Sequence, residues 1–129
     1  MAGTIITSTI QGTTLTDGTN STSTTNCIQG SAKAWGSYAY VANGSSPTLR
    51  KAYNISSITR NSTGNYTFSF TNALADANYG VSMTGNEGST VYAPNGCPIA
   101  KSTSSFTVAM GYGGSFTAYD YGVDFAVFD

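Results

Sequence analysis

The chain has 129 residues, of which 9% are charged, 40% are hydrophobic and 12% are aromatic, and its net charge is −1. Five Lys and Arg residues cannot neutralise a row of phosphates, which argues against nucleic-acid binding. No apolar run approaches the roughly 20 residues of a membrane-spanning helix, so we expect no membrane insertion. The length suits a single domain with one core.

The composition favours an all-β fold. With so few charges, the solvated surface must consist mainly of Thr, Ser, Asn and Gly, which are poor residues for helix interiors. Thr, Tyr, Phe, Val and Ile fit the half-buried surface of a sheet. We therefore predict a β-sandwich or barrel-like domain of about seven to eight short antiparallel strands, preceded by an extended N-terminal arm.

The predicted arm comprises residues 1–26, and the predicted β-sandwich domain comprises residues 27–129. The arm is rich in Thr, with residues 19–26 as a polar link, and it has too few apolar residues to fold alone. It is either a frayed terminus or a strand added to a neighbouring subunit or a partner protein. Four aliphatic side chains would make that attachment: Ile5, Ile6, Ile10 and Leu15.

Apolar and polar residues alternate beyond Cys27, which is typical of strands. The clearest case is the segment 66–70, whose three aromatic residues point to one face. The other predicted strands are 32–41, 49–58, 79–84, 90–92, 106–110 and 123–128. Turns are predicted at the Gly and Asn signals 43–44, 63–65, 85–86 and 95–96, and a short helical turn at 73–77. Pro94 and Pro98 favour a loop over residues 88–101.

Residues 111–122, named here the Gly/Tyr segment, combine glycines with aromatic residues and one acid. Glycine lets the backbone leave a strand path, and tyrosine offers a rigid contact surface with a hydroxyl that both donates and accepts. The alternative is that the aromatic residues alternate along a core strand. The candidate binding residues are Tyr112, Phe116, Tyr119, Asp120 and Tyr121.

The residues needed for most catalytic sites are missing. The chain has no His and only two Cys, which excludes Ser-His-Asp and Cys-His catalysis and leaves no zinc spacing. Paired carboxylates can hydrolyse glycosides, but Asp120 and Asp124, the nearest pair, fit a turn and a solvated face better. We predict no enzyme, no metal and no cofactor. Cys27 and Cys97 are expected to stay reduced, because the N-terminal residues do not look like a signal peptide.

An ordered series of segments resembles a known family. It consists of Lys-Ala-Trp at 33–35, Arg-Lys-Ala-Tyr-Asn-Ile-Ser-Ser-Ile-Thr-Arg at 50–60, Tyr-Thr-Phe-Ser-Phe at 66–70 and Leu-Ala-Asp-Ala-Asn-Tyr at 74–79. This series resembles the C-terminal β-domain of bacteriophage tail fibres and related virion appendages. The resemblance implies that Trp35 lies in an early strand as part of the core, although an exposed Trp35 would stack on a sugar. It also implies that the Asp76 carboxylate accepts hydrogen bonds from backbone amides in a turn.

The resemblance implies a virion structural protein, namely a tail-fibre-tip or head-fibre-like module for host-surface attachment. One alternative is a capsid or tail decoration or connector subunit that binds another virion protein. A second is a surface-glycan-cleaving enzyme, which the chemistry above disfavours. The resemblance further implies a homotrimer carried on the virion, and the N-terminal residues, which do not look like a signal peptide, favour assembly in the cytoplasm of a bacterial host. Its partners would be other virion proteins and a host surface glycan or protein.

Overall fold

The computed structural model describes residues 14–16, 21–23, 31–39, 47–87, 95–113 and 116–129. The chain divides into two compact units, Met1–Ser31 and Ala32–Asp129. In the first unit, β1 (Thr14–Thr16) pairs antiparallel with β2 (Ser21–Ser23), and Leu15 lies opposite Thr22. The prediction of a polar link at 19–26 is therefore wrong for residues 21–23, because strand pairing uses the backbone and does not require apolar side chains.

Several predictions concern residues that the structure does not describe. They are the attachment residues Ile5, Ile6 and Ile10, the thiol of Cys27, the turn at 43–44 and the strand at 90–92. Cys97 lies on the surface as a free thiol. The expectation that both cysteines stay reduced remains a prediction.

The described part of the second unit is entirely β. In chain order its strands are β3 (Ala34–Tyr38), β4 (Leu49–Tyr53), β5 (Ile55–Ser62), β6 (Asn65–Phe70), β7 (Gly80–Glu87), β8 (Asn95–Lys101), β9 (Ser105–Tyr112), β10 (Thr117–Ala118) and β11 (Gly122–Phe128). Sheet I has the order β4-β3-β11-β7. In sheet II, β9 pairs with β6, β8 and β10, and β6 also pairs with β5. All pairings are antiparallel, so the all-β prediction is confirmed, with nine strands in the described part of this unit.

The core lies between the two sheets and is built by alternation along the strands. On β6 the residues Tyr66, Phe68 and Phe70 are buried, while the polar residues between them are not. The ring of Phe68 stacks on that of Phe106 from β9, with centroids 4.7 Å apart. From sheet I, the edge of the Phe125 ring meets Phe68 at 4.8 Å. The predicted alternation at 66–70 is thus what joins the two sheets.

The predicted strand at 49–58 is interrupted at Asn54, which has a positive φ of 56°. Asn tolerates this conformation better than most residues because its side chain can bond to nearby backbone. Here the side-chain Nδ2 of Asn54 donates to the backbone carbonyl oxygens of Lys33 and Asn72, both at 3.1 Å. The side-chain Oδ1 of Asn54 accepts from the backbone amide of Asn72 at 2.7 Å. This single residue takes the chain from β4 in sheet I to β5 in sheet II.

Four local predictions are wrong. Residues 95–101 form β8 rather than part of a loop, and the turn predicted at 95–96 lies inside that strand. Pro98 is tolerated because β8 is an edge strand among the described strands and its register with β9 shifts between Pro98 and Ala100. The turn predicted at 85–86 lies inside β7, next to a register shift with β11 that accommodates Gly85. The segment 73–77 forms no helical turn.

Two predicted turns have the expected chemistry. The Asp76 carboxylate accepts a hydrogen bond from the Asn78 amide at 2.6 Å, as the resemblance implied. Gly64, in the turn between β5 and β6, has a φ of 66°, which favours glycine. A Cβ atom at Gly64 would lie 2.1 Å from the carbonyl oxygen of Met110. The turn is therefore pressed against β9.

Gly64→Ala should lower the free energy of unfolding by roughly 2–4 kcal/mol, because alanine adds the cost of a positive φ to a collision with the β9 backbone. Gly113→Ala is the matched control: Gly113 has a φ of 76°, but no described residue other than its chain neighbours has an atom within 4 Å of its Cβ position. It should lose only about 1 kcal/mol. Urea unfolding measures both losses, and equal values would contradict the close approach.

Candidate functional site

The Gly/Tyr segment leaves β9 at a turn and then folds back on the same strand. Gly113 and Phe116 both have positive φ, and the Phe116 amide donates to the Gly113 carbonyl at 3.2 Å. After the turn, β10 pairs with the end of β9, so that Thr117 lies opposite Tyr112. The segment therefore contains both a turn, as expected of a contact loop, and a short strand.

The five predicted binding residues have different environments. Phe116 is 47% exposed, whereas Tyr112 and Tyr119 are half-buried. Tyr121 is only 1% exposed and belongs to the core, which corrects its predicted contact role. The Tyr119 ring bridges the other two tyrosines, with centroids 5.9 Å from Tyr112 and 5.0 Å from Tyr121. The tyrosines thus form a chain of rings from the surface into the core.

Asp120 makes internal bonds rather than presenting its carboxylate to solvent. It accepts hydrogen bonds from Arg60 Nη2 at 2.9 Å, from Arg60 Nε at 3.2 Å, from the Gly64 amide at 2.8 Å and from the Tyr66 hydroxyl. Its side chain is only 12% exposed. This carboxylate ties the Gly/Tyr segment to the turn between β5 and β6. No local sequence signal identifies its partner, because Arg60 is 60 residues away along the chain.

The charges in this cluster are fixed at neutral pH. Desolvation opposes ionisation of Asp120, but hydrogen bonds from Arg60, Gly64 and Tyr66 outweigh it, and the pKa of Asp120 is lowered. Burial, reinforced by the neighbouring Asp120 carboxylate, raises the pKa of Tyr66. Burial is also the main reason that the pKa of Tyr38 is raised, and the Tyr38 hydroxyl donates to the sulfur of Met110 at 3.3 Å. Neither tyrosine nor Asp120 is poised to exchange a proton near pH 7.

Trp35 lies on the surface, 42% exposed, so its predicted place in the core is wrong. On β3 the inward positions belong to Ala34, Gly36 and Tyr38, which puts Trp35 on the opposite face. The ring of Phe125 fills the space on the core side of Gly36, since a Cβ at Gly36 would lie 2.9 Å from that ring. The alternation around Trp35 was visible in the sequence. The burial of Tyr38 shows that the even-numbered positions of β3 face the core and that Trp35 faces outward.

Trp35 belongs to an exposed aromatic cluster on the outer side of sheet I. Tyr53, 57% exposed, lies directly opposite Trp35 on β4, and Ala126 lies opposite it on β11. Phe128, 43% exposed, is two residues beyond Ala126 and so shares its face. We call Trp35, Tyr53 and Phe128 the aromatic face. It holds three of the five exposed large hydrophobic residues in the described part of the chain.

A row of polar residues runs beside the aromatic face. Lys51 and Asp124 lie opposite Ser37, on its two sides. The side-chain Nδ2 of Asn86 donates to Asp124 Oδ1 at 2.7 Å and to Ser37 Oγ at 3.3 Å. Hydrogen bonds from Ser37 and then Asn86, with the charge of Arg50, lower the pKa of Asp124. This polar row, Ser37, Lys51, Asn86 and Asp124, therefore holds an ionised carboxylate in a defined position.

The outer side of sheet II differs from that of sheet I. Its central strands present short polar side chains, and Thr67 and Thr107 share a hydrogen bond of 2.9 Å between their hydroxyls. Asn61 on β5 donates to Thr67 at 2.9 Å. Ile99 on the edge strand β8 is the exposed large hydrophobic residue of this sheet. The exposed rings of the two sheets are thus confined to sheet I.

Asp120→Asn should destabilise the domain by roughly 1.5–3 kcal/mol at pH 7, because Arg60 loses a charged acceptor. Since the folded-state pKa of Asp120 is lowered, its stabilisation is present above the unfolded pKa of about 3.9 and is lost as the pH falls below it. Urea unfolding between pH 7 and pH 2.5 measures the effect. Wild type should lose stability in acid, and the difference from Asp120→Asn should shrink there.

Asp76→Asn is the control for that series. Its side-chain oxygen can still accept from the Asn78 amide, so stability should change little. If Asp120→Asn follows the same pH curve as wild type, the carboxylate does not anchor the Gly/Tyr segment.

Comparisons with protein families, with curated proteins and with solved structures give no match for this chain. Among the described residues, no three His, Cys, Asp or Glu side chains come together as a metal site would require. The same residues contain no helix with the length and apolar character needed to cross a membrane. Functional inference therefore depends on the sequence resemblance and on the two surfaces described above.

Proposed function

We propose that this protein is a structural protein of a bacteriophage virion, and that it acts as a tail-fibre-tip or head-fibre-like module for attachment to the host surface. The observation that carries the proposal is the ordered series from Lys33 to Tyr79 that resembles virion appendage domains. Its pieces coincide with β3, with the corner at Asn54 between β4 and β5, with β6, and with the turn at Asp76. The resemblance thus concerns residues that build the scaffold.

The surfaces of the domain favour binding over catalysis. The aromatic face and Phe116 expose rings on strands and turns that are held by a rigid aromatic core. A glycoside hydrolase needs one carboxyl group with a raised pKa to act as general acid. Asp120 and Asp124 both have lowered pKa values and both are engaged in internal hydrogen bonds. This electrostatic arrangement does not suit a surface-glycan-cleaving enzyme.

A second candidate function is that of a capsid or tail decoration or connector subunit. The observation that favours it is the division of the chain into two compact units, of which the first contains the arm. In this version the arm binds another virion protein, and the β domain covers or links subunits. In both versions we propose a homotrimer that is assembled in the cytoplasm of the bacterial host and carried on the virion.

Competition for host cells tests the attachment role. Purified protein, added to host cells before the phage, should reduce phage adsorption, because it occupies the same surface receptor. The control is the Asp120→Asn protein unfolded by heating, which should not compete. Mass spectrometry of purified particles must also detect the chain. A chain that is present on particles but never competes for adsorption indicates the connector role, and a chain that is missing from particles contradicts both.

Deleting residues 1–26 should leave the β domain folded but absent from purified particles. The reason is that the arm, whose strands β1 and β2 pair with each other, is proposed to attach the domain to another virion protein. Circular dichroism reports on the fold, and immunoblotting of purified particles reports on incorporation. Normal incorporation of the truncated protein would show that the arm does not attach the domain to the particle.

A further inference from the structure

The aromatic face and the polar row lie side by side on the outer side of sheet I. Trp35 and Ser37 are two residues apart on β3 and point the same way, which places the two rows about 7 Å apart. That spacing is close to the width of a single sugar ring. A ligand lying on Trp35 would therefore bring its rim within reach of Ser37 and Asp124.

We propose that this surface is a saccharide-binding site, with the apolar face of a pyranose ring stacked on Trp35 and Tyr53 and its rim hydroxyls donating to the Asp124 carboxylate. The inference rests on the proposed attachment function, for which it names the class of ligand and the residues that bind it. It places the principal contact with the host on the outer side of sheet I instead of on the Gly/Tyr segment.

The chemistry of the surface matches that of a sugar. A pyranose has an apolar face of C–H groups and a rim of hydroxyls, so it requires a ring and a hydrogen-bond acceptor close together. Trp35 and Tyr53 supply exposed rings on neighbouring strands. The Asp124 carboxylate is already ionised, and a hydrogen bond from Asn86 holds it in place. Its side chain therefore loses little conformational freedom when a sugar binds. Lys51, on the other side of Ser37, adds a donor.

A second copy of the chain fits this surface less well. A stable protein interface buries roughly 800 Å² per partner around an apolar centre. Here the residues around the rings are small or polar: Ala126 lies beside Trp35, and Ser82 lies opposite Ala126 on β7. The apolar area is confined to three rings, which is enough for one or two sugar units.

The chain contains a single tryptophan, so the fluorescence of Trp35 reports directly on this surface. The folded wild-type protein is titrated with glucose, galactose, mannose, N-acetylglucosamine and the purified surface polysaccharide of the phage's host. A saturable change in Trp35 emission with at least one of these probes is expected. Its absence with all of them overturns the proposal.

Substitutions at the proposed contact residues locate the site. The affinity of each variant for the sugar is measured by calorimetry, because Trp35 variants lose the tryptophan fluorescence. Trp35→Ala should weaken binding at least about tenfold, and Asp124→Asn, which keeps the shape and the Asn86 contact, about tenfold. Ile99→Ser is the matched control, since it removes an exposed apolar side chain from sheet II, and its affinity should equal that of wild type. If Trp35→Ala does not fold, Tyr53→Ser and Asp124→Asn carry the test. Unchanged affinity in the folded variants overturns the assignment.

Two further readouts separate the possible failures. Sedimentation of wild type and Trp35→Ala shows whether the aromatic face joins subunits; a smaller assembly in the variant would assign this face to a subunit interface and overturn the saccharide site. Particles carrying Trp35→Ala are then tested for adsorption. Normal adsorption by such particles, with competition by the wild-type protein intact, refutes the saccharide site while leaving the attachment function in place.

Discussion

The contact of Phe68 and Phe106 with Phe125 is the interaction on which the rest of the domain depends. It joins sheet II to sheet I, and burial of each ring contributes about 1.5–3 kcal/mol relative to exposure. With 9% charged residues, the chain can form few ion pairs to supplement this core. Because side chains alternate along a strand, the inward direction of these rings also determines which residues face outward. The exposure of Trp35 follows from the packing of Phe125 against Gly36.

Much of the fold could be predicted because its signals are local. The alternation at 66–70 identified β6, and the Thr-Gly-Asn signal identified the turn at Gly64. The errors arose where tertiary pairing overrode local preference. Pro98 is accepted in β8 because it lies on an edge, and Gly85 is accepted in β7 beside a register shift. The break at Asn54 depends on contacts with Lys33 and Asn72, which no window of sequence contains.

The candidate site was harder to predict than the fold. Local composition drew attention to the Gly/Tyr segment, but composition does not show which tyrosines are buried. Tyr121 and Tyr119 are two residues apart, yet Tyr121 is in the core and Tyr119 is half-buried. The aromatic face joins Trp35, Tyr53 and Phe128 from three separate strands. Only the register of β4, β3 and β11 brings them together.

The pairing of β3 with β11 has a consequence for architecture. These are the first and last strands of the second unit, and Ala34 lies opposite Val127, with the Lys33 amide bonded to the Val127 carbonyl at 2.8 Å. Both ends of the unit therefore emerge at one pole. The opposite pole carries the β5–β6 turn and the Gly/Tyr segment. Such a domain can be fused to another protein at either end, inserted into a loop of another protein or circularly permuted without disturbing the opposite pole.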